Sequence, residues 1–250
     1  MKLALLSDIH ANIQALDACL AHAQTQGAQK FAFLGDLVGY GADPVAVLDR
    51  IQHLLREGAL AVQGNHDVMA VAPPAQTQRQ GEATAAWTHA QLNSAQRAFL
   101  SELPLTAKYD SIYLVHASAD LPPKWRYVDD ARSAEASLEA ASSDPGVRYV
   151  FGGHVHEQTL YYRGNGRGLM AFTPTPGVPI PTPAHRQWIA TVGSVGQPRD
   201  GKPLAMYAMF DLQHKQLTFH RIAYNHSEAA AAVRRAGLPE YFARRLEEGQ

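Results

Sequence analysis

Three short apolar runs, Leu3-Ala4-Leu5-Leu6, Phe31-Ala32-Phe33-Leu34 and Ala59-Leu60-Ala61-Val62, alternate with two stretches of helical periodicity. Continuous apolar runs of this length are the pattern of strands covered on both faces. Between the first two, Asn12 stands as a cap before Ile13, Leu16, Leu20 and Ala23, and Gly27 closes the helix. Between the second and third, a turn rich in Gly, Asp and Pro precedes Val45, Val47, Leu48, Ile51, Leu54 and Leu55 at helical spacing. The pattern is β-α-β-α-β, and right-handed crossovers place its three strands parallel in one sheet. Their carboxyl ends share an edge, where open α/β sheets bind ligands.

Every one of these runs stops at a polar cluster: Ser7-Asp8-Ile9-His10, Gly35-Asp36 and Gly64-Asn65-His66-Asp67. Two later strands behave alike. Ser111-Ile112-Tyr113-Leu114-Val115 runs into His116, and Tyr149-Val150-Phe151 stops at Gly152-Gly153-His154-Val155-His156. Helices are predicted over residues 80–101, with a new cap at Asn93-Ser94, and over 131–141, after a loop at 121–130 that holds Trp125 and Tyr127. From Gln158 onward the period changes to strands at 159–162, 169–172, 188–192, 206–210 and 217–224. These predict a run of antiparallel strands stacked as a second sheet on the first. The Pro-rich stretch 173–183 is a loop. A helix over 227–236, a Gly237-Leu238-Pro239 break and a short charged helix follow.

The expected architecture is α/β: two stacked sheets, one mixed with parallel βαβ units and one mainly antiparallel, flanked by helices in a four-layer αββα sandwich. With 250 residues, one large core and a single domain over residues 1–250 are expected. A formal charge of −1 offers no basic field for nucleic acid. The lone Cys19, on the apolar side of its helix, excludes a disulfide framework or a thiolate metal site. No leader pattern and no apolar run of membrane-spanning length is visible, so a cytoplasmic protein without a membrane partner is the expectation.

A lone strand-end Asp is ordinarily a cap, and a lone His a hydrogen-bonded structural group. Five strand ends bearing Asp8 and His10, Asp36, Asn65 and His66, His116, and His154 with His156 make a set that such roles do not explain. A pair of divalent cations would use them together, with a carboxylate shared between the two. The donors are all nitrogen and oxygen, which suits manganese, iron, zinc, cobalt or nickel without choosing among them.

Asp8-Ile9-His10, Gly35-Asp36, Gly64-Asn65-His66-Asp67, His116 and Gly153-His154-Val155-His156 together resemble the signature of the calcineurin-like metallophosphoesterases. Gly193-Ser194-Val195-Gly196-Gln197-Pro198-Arg199-Asp200 resembles a segment of a small bacterial and archaeal branch, and the Gly-Leu-Pro near the C-terminus fits that branch too. The resemblance implies one metal held by Asp8, His10, His156 and a bridging Asp36, and another by Asp36, Asn65, His116 and His154. It further implies a phosphomonoesterase or phosphodiesterase in which a metal-bridging hydroxide attacks phosphorus.

His66 is then left as a general acid near the leaving group, and Asp67 as the group that orients its ring or caps a helix. Gly64 is read as the residue that allows the turn off its strand. Arg199 is a candidate for substrate phosphate, with a surface salt bridge as the competing reading. Asn12 is a candidate for capping and substrate binding together. Tyr40, in the loop after Asp36, is a candidate to line the cleft, with an exposed loop aromatic as the favoured reading, and the remaining seven histidines receive no role. The compact chain favours a small-molecule or nucleotide ester as partner. A non-catalytic scaffold and a nucleotide-sensing module on the same fold are the alternatives.

Overall fold

The computed structural model describes residues 1–76, 82–164 and 168–250. The apolar runs become β1 (Lys2–Leu6), β2 (Lys30–Leu34) and β3 (Leu60–Val62), linked by α1 (Ile13–Thr25) and α2 (Pro44–Arg56). The three strands are parallel, β2 pairing with both of the others. Asn12 caps α1 through its Oδ1, which accepts from the Ala15 N–H at 3.0 Å. After α3 (Asn65–Val71), helices α4 (Ala85–Gln91) and α5 (Ser94–Glu102) divide where the sequence predicts. There Asn93 and Gln96 exchange side-chain and backbone bonds at 2.8 and 3.1 Å. The first residues of the helix predicted from residue 80, namely 80 and 81, lie outside the described residues.

The later elements are β4 (Thr106–Tyr109), β5 (Ile112–Val115), α6 (Ala131–Ala141), β6 (Tyr149–Gly152), β7 (Gln158–Arg163) and β8 (Leu169–Phe172). Then come β9 (Ile180–Pro181), β10 (Trp188–Val192), β11 (Leu204–Asp211), β12 (Gln216–Ala223), α7 (His226–Arg235) and α8 (Glu240–Glu248). They form two sheets, in the orders β3-β2-β1-β11-β12-β9 and β4-β5-β6-β10-β7-β8.

The partition differs from the expectation of one antiparallel sheet after Gln158. β11 pairs antiparallel with β1, Lys2 opposite Asp211, while β10 joins β6 in parallel. Both sheets are therefore mixed. β4 was not anticipated from the sequence, because Thr106-Ala107-Lys108-Tyr109 is only half-buried and lacks an apolar run. Within the Pro-rich loop, the two-residue β9 occupies an edge, where Pro181 removes no ladder bond that the sheet needs.

Side-chain alternation builds the layers. Leu3, Leu5, Leu34, Phe210 and Phe219 from one sheet meet Leu114, Tyr149, Phe151 and Leu160 from the other. Facing outward, Ala4, Leu6 and Phe33 pack under α1, α2, α7 and α8, with Cys19 buried among them as a free thiol. Val115, Val150 and Ile189 pack under Ala134 and Leu138 of α6. The result is the expected αββα sandwich. Among the described residues no helix is long and apolar enough to cross a membrane.

Candidate metal centre

The strand-end residues converge along one edge of the two sheets. Five of them, Asp8 (φ 53°), His10 (φ 50°), Asp36 (φ 52°), His154 (φ 69°) and His156 (φ 61°), adopt left-handed backbone conformations. For residues with a Cβ, each such conformation costs on the order of 1–3 kcal/mol and persists only where its surroundings enforce it. The enforcement is visible. Asp8 N–H donates to Gly35 O at 3.1 Å and His10 N–H to Asp36 O at 3.0 Å. His154 N–H donates to Asp8 Oδ2 at 2.9 Å, tying the second sheet to the first. The 193–200 segment supports this turn from behind: Ser194 Oγ donates to Asp8 O at 2.8 Å, and Gly196 N–H to the same oxygen at 2.9 Å.

Two glycines are required by space. A Cβ on Gly153 would overlap Ser7 and the Asp8 carboxylate, and one on Gly64 would overlap Asp36. Gly64 itself has φ −110° and ψ 170°, ordinary extended backbone, so its role is close approach and not the turn expected from the sequence.

Two groups of donors result, Asp8 with His10 and His156, and Asp36 with His116 and His154; within each, one atom per residue lies within 4.8 Å of the others. In the first, His10 Nε2 stands 3.1 Å from His156 Nε2, and Asp8 Oδ1 is 3.2 Å from His156 Nε2. In the second, His116 Nε2 stands 3.1 Å from His154 Nδ1 and 3.2 Å from Asn65 Oδ1. Asp36 Oδ2 lies between the groups, 3.3 Å from His116 Nε2 and 3.9 Å from His10 Nε2. Its other oxygen accepts from His66 N–H at 2.8 Å.

The outward ring nitrogens meet backbone carbonyls: His116 Nδ1 with Leu34 O at 2.7 Å, His156 Nδ1 with Gln197 O at 2.6 Å, His10 Nδ1 with Val38 O at 3.4 Å. A carbonyl only accepts, so these nitrogens carry the protons and each Nε2 presents a lone pair inward. Lone pairs 3.1 Å apart repel unless a positive charge stands between them. Asp8 Oδ1, fully buried, has no hydrogen-bond donor. Such an orphan is costly. Burial works against the ionised form of Asp8, yet the neighbouring His156 holds its carboxyl below the usual range. Burial likewise opposes charge on His116, while Asp36, hydrogen-bonded to it, pulls it up to about 10, so a proton on Nε2 takes the place of a cation there and must leave before that nitrogen can offer its lone pair to a metal. Both groups therefore fit a divalent cation: nitrogen and oxygen donors aimed inward, and in the first group an oxygen that no donor satisfies.

Beside them, His66 is buried, its ring 4.3 Å from Tyr40 and 5.1 Å from His10. Burial pushes its basicity down, partly opposed by Asp36. Asp67 does not address that ring. Its Oδ1 accepts from Leu37 and Val38 N–H at 2.9 and 3.3 Å and its Oδ2 from Gly64 N–H at 2.9 Å, stitching the turn after β2 to the start of α3. Asn12 is similarly committed: besides capping α1, its Nδ2 donates to Gly196 O at 2.9 Å and Tyr224 Oη at 3.5 Å. Both polar atoms of its side chain thus have protein partners. Arg199 donates to Gln197 Oε1 at 2.9 Å and forms no ion pair among the described residues.

Tyr40 is not exposed. At 8% accessibility it lies between His10 at 4.5 Å and Phe242 of α8 at 5.3 Å. Two further aromatics were read only as loop residues. Tyr127 stacks on His154 at 4.4 Å, and Trp125 meets His116 edge-on at 5.9 Å. Their place in the 121–130 loop that follows candidate ligand His116 is the available signal.

An αββα sandwich carrying two nitrogen–oxygen donor groups at its strand ends defines a metal-binding phosphoesterase class. Residues 1–215 match the model of the calcineurin-like phosphoesterase superfamily domain, and the chain belongs to that superfamily, whose members bind divalent metals and are generally hydrolases. It is similar to the crystal structure of a metallophosphoesterase from Sphaerobacter thermophilus, with TM-score 0.88 and 31% identity covering 100% of this chain and 99% of that one. It is 29% identical to the uncharacterized protein MJ0912 of Methanocaldococcus jannaschii over 98% of this chain and 96% of that protein. A shorter match, 29% identical over 66% of this chain and 54% of the other, is to the symmetrical bis(5'-nucleosyl)-tetraphosphatase of Nitrosococcus oceani.

Proposed function

We propose that the chain, acting as one domain, is a two-metal phosphoesterase hydrolysing a small phosphomonoester or phosphodiester. Asp8, His10 and His156 would hold one divalent cation, Asn65, His116 and His154 the other, and Asp36 both. The observation that carries this reading is Asp36 Oδ2, among the described residues the one carboxylate oxygen within 4 Å of an inward nitrogen from each group, at 3.3 and 3.9 Å. When bound, such cations lower the pKa of a shared water and neutralise charge on phosphoryl oxygens.

The protein's own residues do the rest. His66, held against Tyr40 beside ligand Asn65, delivers a proton to the leaving oxygen. Burial disfavours its charged form, and the negative charge of an arriving phosphate opposes that effect. Asp67 keeps the β2 and β3 turns in register, so that Asp36 and His66 stay side by side. Arg199, free of any carboxylate partner among the described residues, contacts a phosphate oxygen. The name of the Nitrosococcus oceani relative supports a nucleotide or other small ester over a macromolecular one.

The test is hydrolysis of p-nitrophenyl phosphate and of bis(p-nitrophenyl) phosphate after loading with manganese, iron, zinc, cobalt or nickel. Turnover of at least one ester with one metal is expected. No turnover with any divalent metal would end the enzyme reading.

A further inference from the structure

The cleft in front of the two donor groups has a wall that phosphate chemistry does not use. It encloses about 470 Å³ and is lined by Asn65, His66 and His154 at its floor, with Val68, Met69, Trp125 and Tyr127 among its walls. That volume suits a ligand larger than a phosphate group and comparable to a mononucleotide. The walls come from different sheets. Val68 and Met69 belong to α3, which follows β3, whereas Trp125 and Tyr127 belong to the loop that follows β5.

That loop is held in a costly shape. Leu121 (φ 55°) and Trp125 (φ 50°), both bulky, occupy left-handed conformations on either side of a single tight turn over Pro122–Lys124. Backbone bonds from Lys124 N–H to Leu121 O at 2.8 Å and from Trp125 N–H to Pro122 O at 3.2 Å close the turn. Ala119 N–H is pinned to Ser137 Oγ of α6 at 2.9 Å, and Arg126 pairs with Asp120. The outcome is that both rings face the cleft next to the candidate ligands. Tyr127 nevertheless remains 54% exposed, and Val68 37%. A large aromatic and an aliphatic side chain left half in water beside the candidate donor groups give a cleft otherwise lined by polar residues, Glu82 and Lys124 among them, an apolar face.

Resting on the phosphoesterase reading above, we propose that the slot at this face seats the base of a nucleoside ester, between Trp125 and Tyr127 on one wall and Val68 and Met69 on the other, while its phosphate lies over the donor groups. Stacking of a base on an aromatic ring depends on the π-face and little on base identity, so the slot would accept purines and pyrimidines. Lys124, also lining the cleft, supplies a cation for a second phosphate or a ribose oxygen.

The test compares two diesters with the same leaving group, thymidine 5′-(p-nitrophenyl phosphate) and methyl p-nitrophenyl phosphate, on the metal-loaded full chain. Trp125→Ala and Tyr127→Ala each lower kcat/KM for the thymidine ester by about 5- to 100-fold, and for the methyl ester by less than about threefold. Trp125→Phe, which keeps a ring, restores most of the loss. Equal losses on both esters would overturn the proposal. So would a wild-type preference for bis(p-nitrophenyl) phosphate over the thymidine ester, which would assign the slot to bare aryl groups. A binding measurement stands apart from turnover. Thymidine 5′-monophosphate should quench the Trp125 fluorescence saturably, with the quench absent in Trp125→Ala and absent with methyl phosphate. No quench in the wild type removes the slot even if the esters are hydrolysed. A quench without hydrolysis of any ester leaves the slot in place and removes the enzyme reading alone.

Discussion

The Nε2 atoms of His10 and His156 stand 3.1 Å apart, with each Nδ1 turned onto a backbone carbonyl of the chain itself. Both rings therefore offer lone pairs to the same point, which Asp8 Oδ1 also faces from 3.2 Å on the His156 side. Removing a cation from such a place leaves repulsion behind. A chelator-stripped sample should melt about 5–10 °C below one holding a divalent metal at about a hundred times its dissociation constant. Identical melting curves for the two samples would contradict the metal assignment.

In the proposed centre Asp36 is the shared group. Asp36→Asn keeps the size and the bond from His66 N–H but removes the charge that both donor groups face. Metal content by elemental analysis after dialysis should fall from two per chain to below one. Two metals retained would separate Asp36 from the bridge.

His66 makes no contact that a metal would require, and its ring packs on Tyr40. His66→Gln should leave metal content unchanged. It should slow hydrolysis of alkyl esters by about a hundredfold or more, and of p-nitrophenyl esters far less, because an activated leaving group needs little protonation. Equal losses on the two substrates would take the proton-donor role away from His66.

Asn12 spends Oδ1 on a helix cap and Nδ2 on the 196 carbonyl and Tyr224. Asn12→Ala should cost about 1–3 kcal/mol of stability in chemical denaturation, while KM for small esters changes less than about twofold. A large rise in KM at unchanged stability would restore it as a substrate contact.

Away from the cleft, His220 is buried against Tyr207 at 4.7 Å and His22 at 5.1 Å, and burial pushes its pKa down from 6.5 to about 4. The folded state thus prefers the neutral ring, and below pH 6.5 the unfolded chain binds the proton first. The contribution to stability is whole above pH 6.5 and is lost as the pH falls through 4. His220→Phe should flatten the decline in melting temperature between pH 7 and 4.5. An unchanged slope would place the acid sensitivity elsewhere.

Much of the site was legible because each donor directly follows an apolar run, and parallel strands bring such positions to one edge by topology alone. What was not legible depends on partners far away in sequence. Nothing near Lys2-Leu3-Ala4-Leu5 indicates that they pair with Ala208 to Asp211, which is why the later strands were assigned to one sheet. Tyr40 sits in a turn rich in Gly, Asp and Pro, the setting of an exposed residue, and is buried by Phe242, two hundred residues on. Asp67 lies next to His66 in sequence, yet helical geometry at α3 turns its carboxylate back onto backbone N–H groups. Adjacency along the chain suggested a side-chain partnership that the helix does not allow.

Each donor group takes residues from both sheets: Asp8 and His10 follow β1 and Asp36 follows β2, while His116 follows β5, and His154 and His156 follow β6. A cation in either group would act as a rivet between two halves of the molecule that share no strand pairing. It would also close a chain loop of well over a hundred residues between Asp8 and His156. Neither site can exist until the two sheets have docked, so capture of metal would be among the last events of folding. Metal uptake would then report completion of the sandwich, and a chain that stalls with its sheets apart would have neither donor group assembled.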